Sequence, residues 1–399
     1  MTRTVTLQRA PSFAIAVSLL AFANFAIVTT EFVVVGLLPA MAGDLGLSLP
    51  TTGWLVTSFA LAAALLGPPL TMMADRYAAR HVVIATALIF AAGNLLTALV
   101  PDFGVLIAVR IVLGGVLPAF ISVASVAATR LTTADRQGWA ISLVNLGVVT
   151  TTVLGIPIAT MVADAAGWQA SFVGLAGLGL VSAGLIAVWF PRTSTTATPA
   201  AGSAAALLKR GGFLVHLLLS GILFTAMFIA YTYIAAFLGA AAGLDGTAIG
   251  SVLMGFGIAG VLGNALAGRL VDRDPLITSL VVAGALAILM ASTALAAQRP
   301  ALLVALVLLW GVAHMAAFVA SQVRVTKAGK QAPAFAMSLN ISICNLGIAL
   351  GATLGGHIVD AYGIDRIGYG GSAIAAAAFA LAAAMLAVRA RGKASAPRR

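Results

Sequence analysis

Twelve long apolar segments restrict what this chain can fold into. Each has about 20 residues or more, the length with which an α-helix crosses roughly 30 Å of hydrocarbon. Lipid offers the backbone no hydrogen-bond partners, so a helix is the only state open to such segments. They lie near residues 13–38, 50–73, 81–100, 104–128, 138–163, 169–190, 213–239, 246–268, 276–297, 301–323, 334–358 and 368–388. We therefore predict twelve transmembrane helices in a lipid bilayer.

The composition excludes several other classes of protein. Hydrophobic residues make up 61% of the chain and charged residues 8%, whereas a soluble domain carries about 25% charged residues. The net charge of +11 does not indicate a nucleic-acid partner, because the basic residues lie between apolar segments. The single cysteine, Cys344, supports neither a disulfide framework nor a cysteine-based metal site. We expect no metal and no cofactor.

The basic residues also predict the topology. With a cytoplasmic N-terminus, nearly all of the 22 lysines and arginines fall in cytoplasmic segments, Arg324 and Lys327 among them. Most aspartates fall in the outer loops instead. This distribution follows the positive-inside rule and predicts that both termini are cytoplasmic. A bacterial inner membrane is the expected location.

The polar segment 191–212 divides the apolar segments into two sets of six. It is rich in Pro, Gly and Ser and has no apolar periodicity, which is typical of a linker. We predict an N-terminal half at 1–190, a cytoplasmic linker at 191–212, and a C-terminal half at 213–399 that ends in a basic tail.

Short sequences recur at corresponding positions of the two halves. They are ADR at 74–76 and VDR at 271–273, SLVNLG at 142–147 and ICNLG at 343–347, and Asp164 with Gly167 and Asp360 with Gly363. A duplicated six-helix unit is typical of alternating-access transporters, which bind substrate near the midplane between the halves.

Two charged residues lie inside predicted helices of the first half. Glu31 is the only glutamate in the chain, and Arg110 lies in the fourth apolar segment. A charge in hydrocarbon costs about 2.5–3.5 kcal/mol and usually marks a functional site. Both residues lie roughly 10 Å from the outer end of their helix by the helical rise, so we expect them to pair. In the functional hypothesis Glu31 alternates between protonated and ionised forms as Arg110 moves relative to it. In the alternative, a static ion pair only fixes helix packing.

Two loop sequences resemble the signature of the major facilitator superfamily. TMMADRYAAR at 71–80 is similar to the loop motif between spans 2 and 3 of that family, and GRLVDR at 268–273 is similar to its second copy. The resemblance implies that the charged residues latch the inner side when the transporter opens outward. The residues concerned are Asp75, Arg76, Arg80, Asp272 and Arg273. The alternative is that they only set the topology.

Other segments resemble a subgroup of that superfamily. RIVLGG, with Arg110, is similar to the span 4 pattern, and GVVTTTVLGIP resembles the antiporter motif of drug–proton exchangers. TTEFVVVGLLP at 29–39 looks like the sugar-efflux and arabinose-efflux permeases of the twelve-span drug–proton antiporters. The implied fold is an all-α membrane protein with twelve helices in two pseudo-symmetric six-helix halves. Gly147, Gly155 and Pro157 are expected to allow close packing and a bend in span 5.

Six further residues are candidates for the substrate cavity: Asn24, Asn145, Tyr231, Tyr233, His314 and Asn345. Asn24 lies two helical turns before Glu31 on the same face, but an interhelical hydrogen bond would explain it equally well. The two tyrosines point in different directions, so we do not expect both to face the cavity. His314 is either a second protonatable group or a neutral core histidine. Asn145 and Asn345 occupy matching places, which suits a structural role or a substrate role.

These features favour a transporter that is not an enzyme. No nucleotide-binding or hydrolase motif is present, so an ion gradient is the expected energy source. A lone carboxylate suits protons better than sodium. We expect a monomeric efflux transporter that exports a small organic molecule, drug-like or a sugar, in exchange for protons. The alternatives are an importer or uniporter of a sugar or nucleoside, and a receptor or regulator that kept the fold without transport.

Overall fold

The computed structural model describes residues 13–132, 137–191, 207 and 209–394, and in these residues it contains helices and no strand. Twelve helical segments are long and apolar enough to cross a membrane, as the sequence predicts. Spans 1–4 are Phe13–Asp44, Leu49–Ala74, Ala79–Leu99 and Phe103–Arg130; span 5 comprises Gln137–Thr150, Thr151–Gly155 and Ile156–Ala166; span 6 is Trp168–Trp189. Span 7 comprises Gly211–Tyr231 and Ile234–Ala242; spans 8–12 are Gly246–Arg273, Pro275–Leu295, Pro300–Ala328, Pro333–Tyr362 and Ile367–Ala394.

Several spans begin at a side chain that caps the helix. Ser48 accepts a hydrogen bond from the backbone N–H of Thr51 at 3.2 Å. Asp102 and Asp245 accept from the N–H groups three residues ahead at 3.0 and 2.7 Å. Such caps satisfy backbone donors that the first turn leaves open, and a carboxylate also suits the positive end of the helix dipole. These contacts explain why the helices start where the apolar segments begin.

The packing repeats between the two halves. Span 2 packs on span 4 as span 8 packs on span 10; span 3 packs on span 6 as span 9 packs on span 12; span 1 packs on span 5 as span 7 packs on span 11. Spans 5 and 11 both end at a glycine with positive φ, Gly167 at 84° and Gly363 at 86°, a conformation that glycine adopts readily. The predicted fold class is confirmed. The exact boundaries of the halves stay a prediction, because 192–206 and 208 lie outside the described residues.

Spans 5 and 7 are interrupted near their middles. In span 5, Thr151–Gly155 forms a π-helical turn in which the N–H of Ile156 donates to the carbonyl of Thr151. Pro157 follows directly, and proline has no N–H for the regular helical pattern. Span 7 breaks between Tyr231 and Ile234. Span 11, the counterpart of span 5, runs as one α-helix, so the interruption is not a property of the repeat itself.

The halves touch mainly at one face of the membrane region. Spans alternate in direction, so Ala74, Arg130 and Arg273 end at the same face, which we call the arginine-rich face; the other is the opposite face. Towards the opposite face, span 2 packs on span 11 and span 5 on span 8, and the hydroxyls of Thr57 and Thr353 lie 3.3 Å apart. The halves are therefore closed against each other at the opposite face.

A hydrogen-bonded contact across the halves lies at that closed face. The carboxylate of Asp164, at the end of span 5, accepts hydrogen bonds from the backbone N–H and the hydroxyl of Thr247 at 3.0 and 2.8 Å. Thr247 is in the first turn of span 8, where Asp245 of the same half already caps the helix. Asp164 thus supplies a second acceptor to that helix from the other half.

Candidate functional site

Arg110 joins three helices through backbone carbonyls. The guanidinium donates from Nε to the carbonyl of Leu55 at 2.9 Å, from Nη1 to that of Thr30 at 2.6 Å, and from Nη2 to that of Glu31 at 2.8 Å. Its central carbon lies 4.1 Å from the ring centroid of Phe59, a cation–π distance. The side chain is 3% exposed. These contacts fix the relative positions of spans 1, 2 and 4.

The Glu31 carboxylate does not form the expected ion pair. In the part of the chain that the structure describes, Arg110 contacts the backbone carbonyl of Glu31, and no hydrogen bond reaches the Glu31 carboxylate. Glu31 is only 9% exposed. A carboxylate oxygen accepts hydrogen bonds from any nearby donor, so this group is buried beside a fixed positive charge with its own oxygens unoccupied by protein donors.

A polar contact from span 3 supports the same region of span 1. Asn94 donates from Nδ2 to the hydroxyl of Thr30 at 2.9 Å, and its buried Oδ1 has no partner in the described residues. The sequence reasoning missed Asn94. The available signal was an isolated asparagine in an apolar segment, which usually marks an interhelical hydrogen bond.

Asn24, Gly147 and Gly155 belong to the seam between spans 1 and 5. Asn24 donates from Nδ2 to the carbonyl of Val144 at 3.0 Å, which is the interhelical alternative and not a cavity contact. A side chain at Gly147 would meet the backbone of span 1, and one at Gly155 would meet Thr29. The glycines therefore allow the close packing that the sequence predicts.

A cavity of about 400 Å³ lies between the halves. Its lining comes from the first half and π-helical turn of span 5, the middle of span 8 and the second half of span 10, with one residue of span 1 and two of span 7. It therefore extends from the middle of the spans toward the arginine-rich face. The polar lining residues are Ser142, Asn145, Thr152, Tyr231, Asn264, His314 and Gln322. Among the described residues, the lining includes no aspartate, glutamate, lysine or arginine.

Tyr231 and His314 lie in a cluster of rings at the cavity wall. We call the aromatic box the six residues Phe228, Tyr231, Phe256, Trp310, His314 and Phe318. The imidazole of His314 lies at its centre, with its centroid 4.6 Å from that of Tyr231 and 5.4 to 6.1 Å from those of the other four. His314 is 1% exposed, and its Nδ1 has no hydrogen-bond partner in the described residues.

Tyr233 and Asn345 do not line the cavity. The hydroxyl of Tyr233 donates to the carbonyl of Ala352 at 2.9 Å, and the ring packs where Gly53 and Gly356 leave room between spans 2 and 11. Asn345 donates to the carbonyl of Ile341 in its own helix at 3.1 Å. Of the matching pair of asparagines, only Asn145 faces the cavity.

The five charged residues expected to latch the inner side, which we call the loop charges, lie at the arginine-rich face. Asp75 and Arg76 follow span 2, and Arg80, Asp272 and Arg273 lie at the ends of spans 3 and 8. Among the residues described, no hydrogen bond or ion pair joins Asp75, Arg76 or Arg80 of the first half to Asp272 or Arg273 of the second. Arg80 donates to the carbonyl of Ala187 at the end of span 6.

Asp75 has a perturbed acidity. Partial loss of solvent raises the pKa of Asp75 above its ordinary value, and the positive charge of Arg130 acts in the opposite direction. Both residues belong to the first half, so this interaction does not join the two halves.

Arg324 is a buried residue of span 10 and not the loop charge that the sequence predicted. It is 1% exposed. It donates to the hydroxyls of Ser279 and Ser220 at 3.1 and 2.8 Å and to the carbonyl of His216 at 2.6 Å. The charge pattern placed it at the arginine-rich face, but tertiary packing draws it between spans 7, 9 and 10.

No group of three metal-binding side chains occurs within the described residues. The expectation that the protein needs neither a metal nor a cofactor stays a prediction.

Twelve helical spans, a duplicated packing pattern and a cavity between the halves define a membrane transporter. The family model of the Major Facilitator Superfamily matches residues 20–333 and 217–399. The chain is 31% identical over 344 residues to the inner membrane transport protein YdhP of Escherichia coli strain K12, covering 86% of this chain and 88% of the relative. It is 28% identical over 352 residues to the MFS-type transporter YtbD of Bacillus subtilis strain 168, with coverage of 86% and 88%. The protein belongs to the Major Facilitator Superfamily.

Solved structures share the fold. A variant of the nucleoside transporter NupG has a TM-score of 0.76 at 16% identity, covering 94% of this chain and 99% of NupG. A bacterial homolog of the human lysosomal transporter Spinster, in an inward-facing and unoccupied conformation, has a TM-score of 0.74 at 16% identity, with coverage of 94% and 96%. These likenesses concern the fold alone.

Proposed function

We propose that the protein is an efflux transporter that exports a small organic molecule in exchange for protons by alternating access. The observation that carries this proposal is the buried Glu31 carboxylate, which has no protein hydrogen-bond donor and lies beside Arg110. Because Arg110 is held by three carbonyls, its hydrogen bonds do not require Glu31 to be ionised. The neighbouring residue, Phe32, lines the central cavity. Proton binding at Glu31 can therefore be linked to the state of that cavity.

The arrangement of the halves supports alternating access. They are hydrogen-bonded across the opposite face through Asp164 and Thr247, whereas the cavity extends toward the arginine-rich face. By the positive-inside rule the arginine-rich face is cytoplasmic, so this conformation faces inward. The five loop charges are apart here and are proposed to meet when the cavity opens outward. We further propose that a monomer in a bacterial inner membrane performs this cycle.

Inverted membrane vesicles test the proposal directly. Proton pumping into such vesicles should drive accumulation of an exported probe, measured separately for chloramphenicol, ethidium and L-arabinose. Glu31→Gln removes the protonatable group and keeps the size of the side chain. We expect it to lose accumulation that a protonophore abolishes, while movement of the probe down its own gradient persists. Asp102→Asn is the matched control, since it removes a carboxylate at a helix cap outside the membrane. Gradient-driven accumulation by Glu31→Gln at the wild-type level would contradict proton coupling at this residue.

Import of a nucleoside or sugar is the second candidate function. The fold likeness to the nucleoside transporter NupG favours keeping it. Right-side-out vesicles separate the two directions. Proton-driven uptake of uridine or L-arabinose in that orientation, with no accumulation in inverted vesicles, would favour import.

A further inference from the structure

The central cavity has two chemically different walls. Phe32 of the first half and Phe318 of the aromatic box present partly exposed rings to it, and Phe228 and Tyr231 lie directly behind them in the wall. The rings of Phe32 and Phe228 lie 6.0 Å apart, so aromatic surface from both halves meets at the same cavity. Rings in contact favour a further ring, because offset and edge-on aromatic pairs are attractive beyond the area that they bury.

Free amide groups supply the other wall. The side chains of Asn145, Asn264 and Gln322 are exposed to the cavity. In the described part of the chain, no protein group forms a hydrogen bond with these three amides. An amide offers both donors and an acceptor, so these residues can pair with hydroxyl, carbonyl or amide groups of a ligand.

The lining also disfavours charged ligands. None of the described lining residues is acidic or basic apart from His314, so an ion entering the cavity would lose hydration without a counter-charge. An aromatic box can hold an organic cation through its ring faces. Here, however, the imidazole of His314 already fills the centre of the box. A simple sugar fits poorly as well, since its hydroxyls would meet the rings on one side and lose their hydrogen bonds.

We infer that the cavity selects uncharged molecules that combine an aromatic ring with hydroxyl or amide groups, the ring packing on the aromatic box and the polar groups on the free amides. His314 contributes to this selection. Its Nδ1 is buried without a partner in the described residues, and a ligand hydroxyl that reaches the imidazole would provide the missing hydrogen bond. This substrate class rests on the proposed export function, because it assigns the cargo to the same cavity.

Equilibrium binding to the purified protein tests the class without any gradient. The probes are two uncharged aromatic molecules, 4-nitrophenyl β-D-galactopyranoside and chloramphenicol, with methyl β-D-galactopyranoside and tetraphenylphosphonium for comparison. The two galactosides differ only in the aglycone, which is 4-nitrophenyl in one and methyl in the other. We expect at least one aromatic probe to bind about tenfold or more tightly than both comparison probes, as contacts with two or more rings allow. The inference would be overturned if the two galactosides bound with equal affinity and chloramphenicol did not bind. It would also be overturned if tetraphenylphosphonium bound more tightly than both uncharged aromatic probes, or if neither of those probes bound.

Matched variants locate the binding surface. Phe318→Leu removes a ring that lines the cavity, and we expect it to weaken binding of the aromatic probe about three- to tenfold. Phe379→Leu makes the same change at an exposed position of span 12 outside the cavity lining and should leave affinity unchanged. His314→Gln keeps hydrogen-bonding capacity and should bind more tightly than His314→Leu. Equal effects of the two phenylalanine variants, or equal affinity of the two histidine variants, would place the ligand elsewhere.

Different results would contradict the proposed export function and the proposed substrate class. Proton-driven export of methyl galactoside, with no preference for the aromatic probes, would overturn the substrate class and leave the exporter intact. Tight binding of an aromatic probe that is never moved by a proton gradient would support the class and contradict the exporter.

Discussion

Within the described residues, each half of the molecule buries one arginine, and the two arginines satisfy their hydrogen-bond donors with different partners. Arg110 donates to three backbone carbonyls and lies beside the Glu31 carboxylate. Arg324 donates to two serine hydroxyls and one carbonyl, and its hydrogen-bond partners in the described residues include no carboxylate. Buried cations are retained only when their donors are satisfied, and both sites meet that condition. Among the described residues, however, only the first half places a carboxylate beside its buried arginine.

The comparison shows that a duplicated scaffold need not duplicate its chemistry. The helix packing repeats closely, but Arg110 lies seven residues after the start of span 4 and Arg324 lies four residues before the end of span 10. We infer that proton chemistry belongs to the first half and that Arg324 stabilises the second.

Replacing Arg110 with lysine should give the largest effect. Lysine keeps the charge but cannot reach three carbonyls in a fixed fork. Losing two charge-assisted hydrogen bonds at about 1.5 kcal/mol or more each lowers the population of the working geometry about 100-fold. Proton-driven probe transport, measured per folded molecule in vesicles, should fall accordingly. Transport at the wild-type rate would show that the positive charge alone is sufficient.

Replacing Arg324 with glutamine should lower stability and leave coupling intact. The change leaves buried serine hydroxyls with fewer partners and should cost about 1–3 kcal/mol of unfolding free energy. The apparent melting temperature in detergent should drop, while the number of protons exchanged per transported probe stays the same. If this variant lost coupling with an unchanged melting temperature, the division of roles between the halves would be wrong.

The contact between Asp164 and Thr247 shows how one half holds the other at the opposite face. Asp164→Asn weakens two hydrogen bonds to a carboxylate, and a loss of about 1 kcal/mol would raise the open population about fivefold. Maleimide labelling of a cysteine introduced by Ala236→Cys, next to this contact, should accelerate by that factor; native Cys344 is buried. Asp245→Asn, which alters a cap within one half, is the control. Equal labelling rates in all backgrounds would exclude a gating role for Asp164.

The smallest effect is expected at an ion pair inside the second half. The Asp274 carboxylate lies 2.6 Å from Nη2 of Arg389. Burial raises the pKa of Asp274, but the hydrogen bonds from Arg389 and from two backbone N–H groups of span 9 lower it more, so the pKa lies below its ordinary value. The ion pair therefore stabilises the fold above about pH 4, the pKa of an aspartate in the unfolded chain. This stabilisation is lost as the pH falls through the lower pKa of Asp274 in the folded protein.

Asp274→Asn keeps the helix cap and removes the charge. Because the side chains of Arg389 and Asp274 are 42% and 23% exposed, solvent weakens the pair, and the loss of stability should be below about 1 kcal/mol. The melting temperatures of wild type and variant, compared at pH 7 and in acid, should converge in acid. If the difference in melting temperature widened in acid, the pKa of Asp274 would be raised and not lowered in the folded protein.

Much of the site could be predicted from single residues, but their partners could not. An isolated carboxylate in an apolar segment is visible in the sequence, so Glu31 was found. The sequence also indicates that Tyr231 and Tyr233 do not both face the cavity, but it does not indicate that Tyr231 is the one that does. That choice depends on the break in span 7 and on Gly53 and Gly356, which leave room for the ring of Tyr233. Arg324 was misplaced because its charge matched the topology rule, although its side chain is buried.

The sequence alone determined the all-helical membrane fold, the number of spans and the repeat. Each segment must by itself be long and apolar enough to cross the hydrocarbon, and it must satisfy its backbone hydrogen bonds as a helix. Tertiary structure decided that Arg110 binds carbonyls instead of the Glu31 carboxylate, that Asn24 links two helices, and that His314 lies among five other rings. Those outcomes depend on which distant spans pack together. Hydrogen bonds and ring contacts act over a few ångströms, so no property of a single segment specifies them.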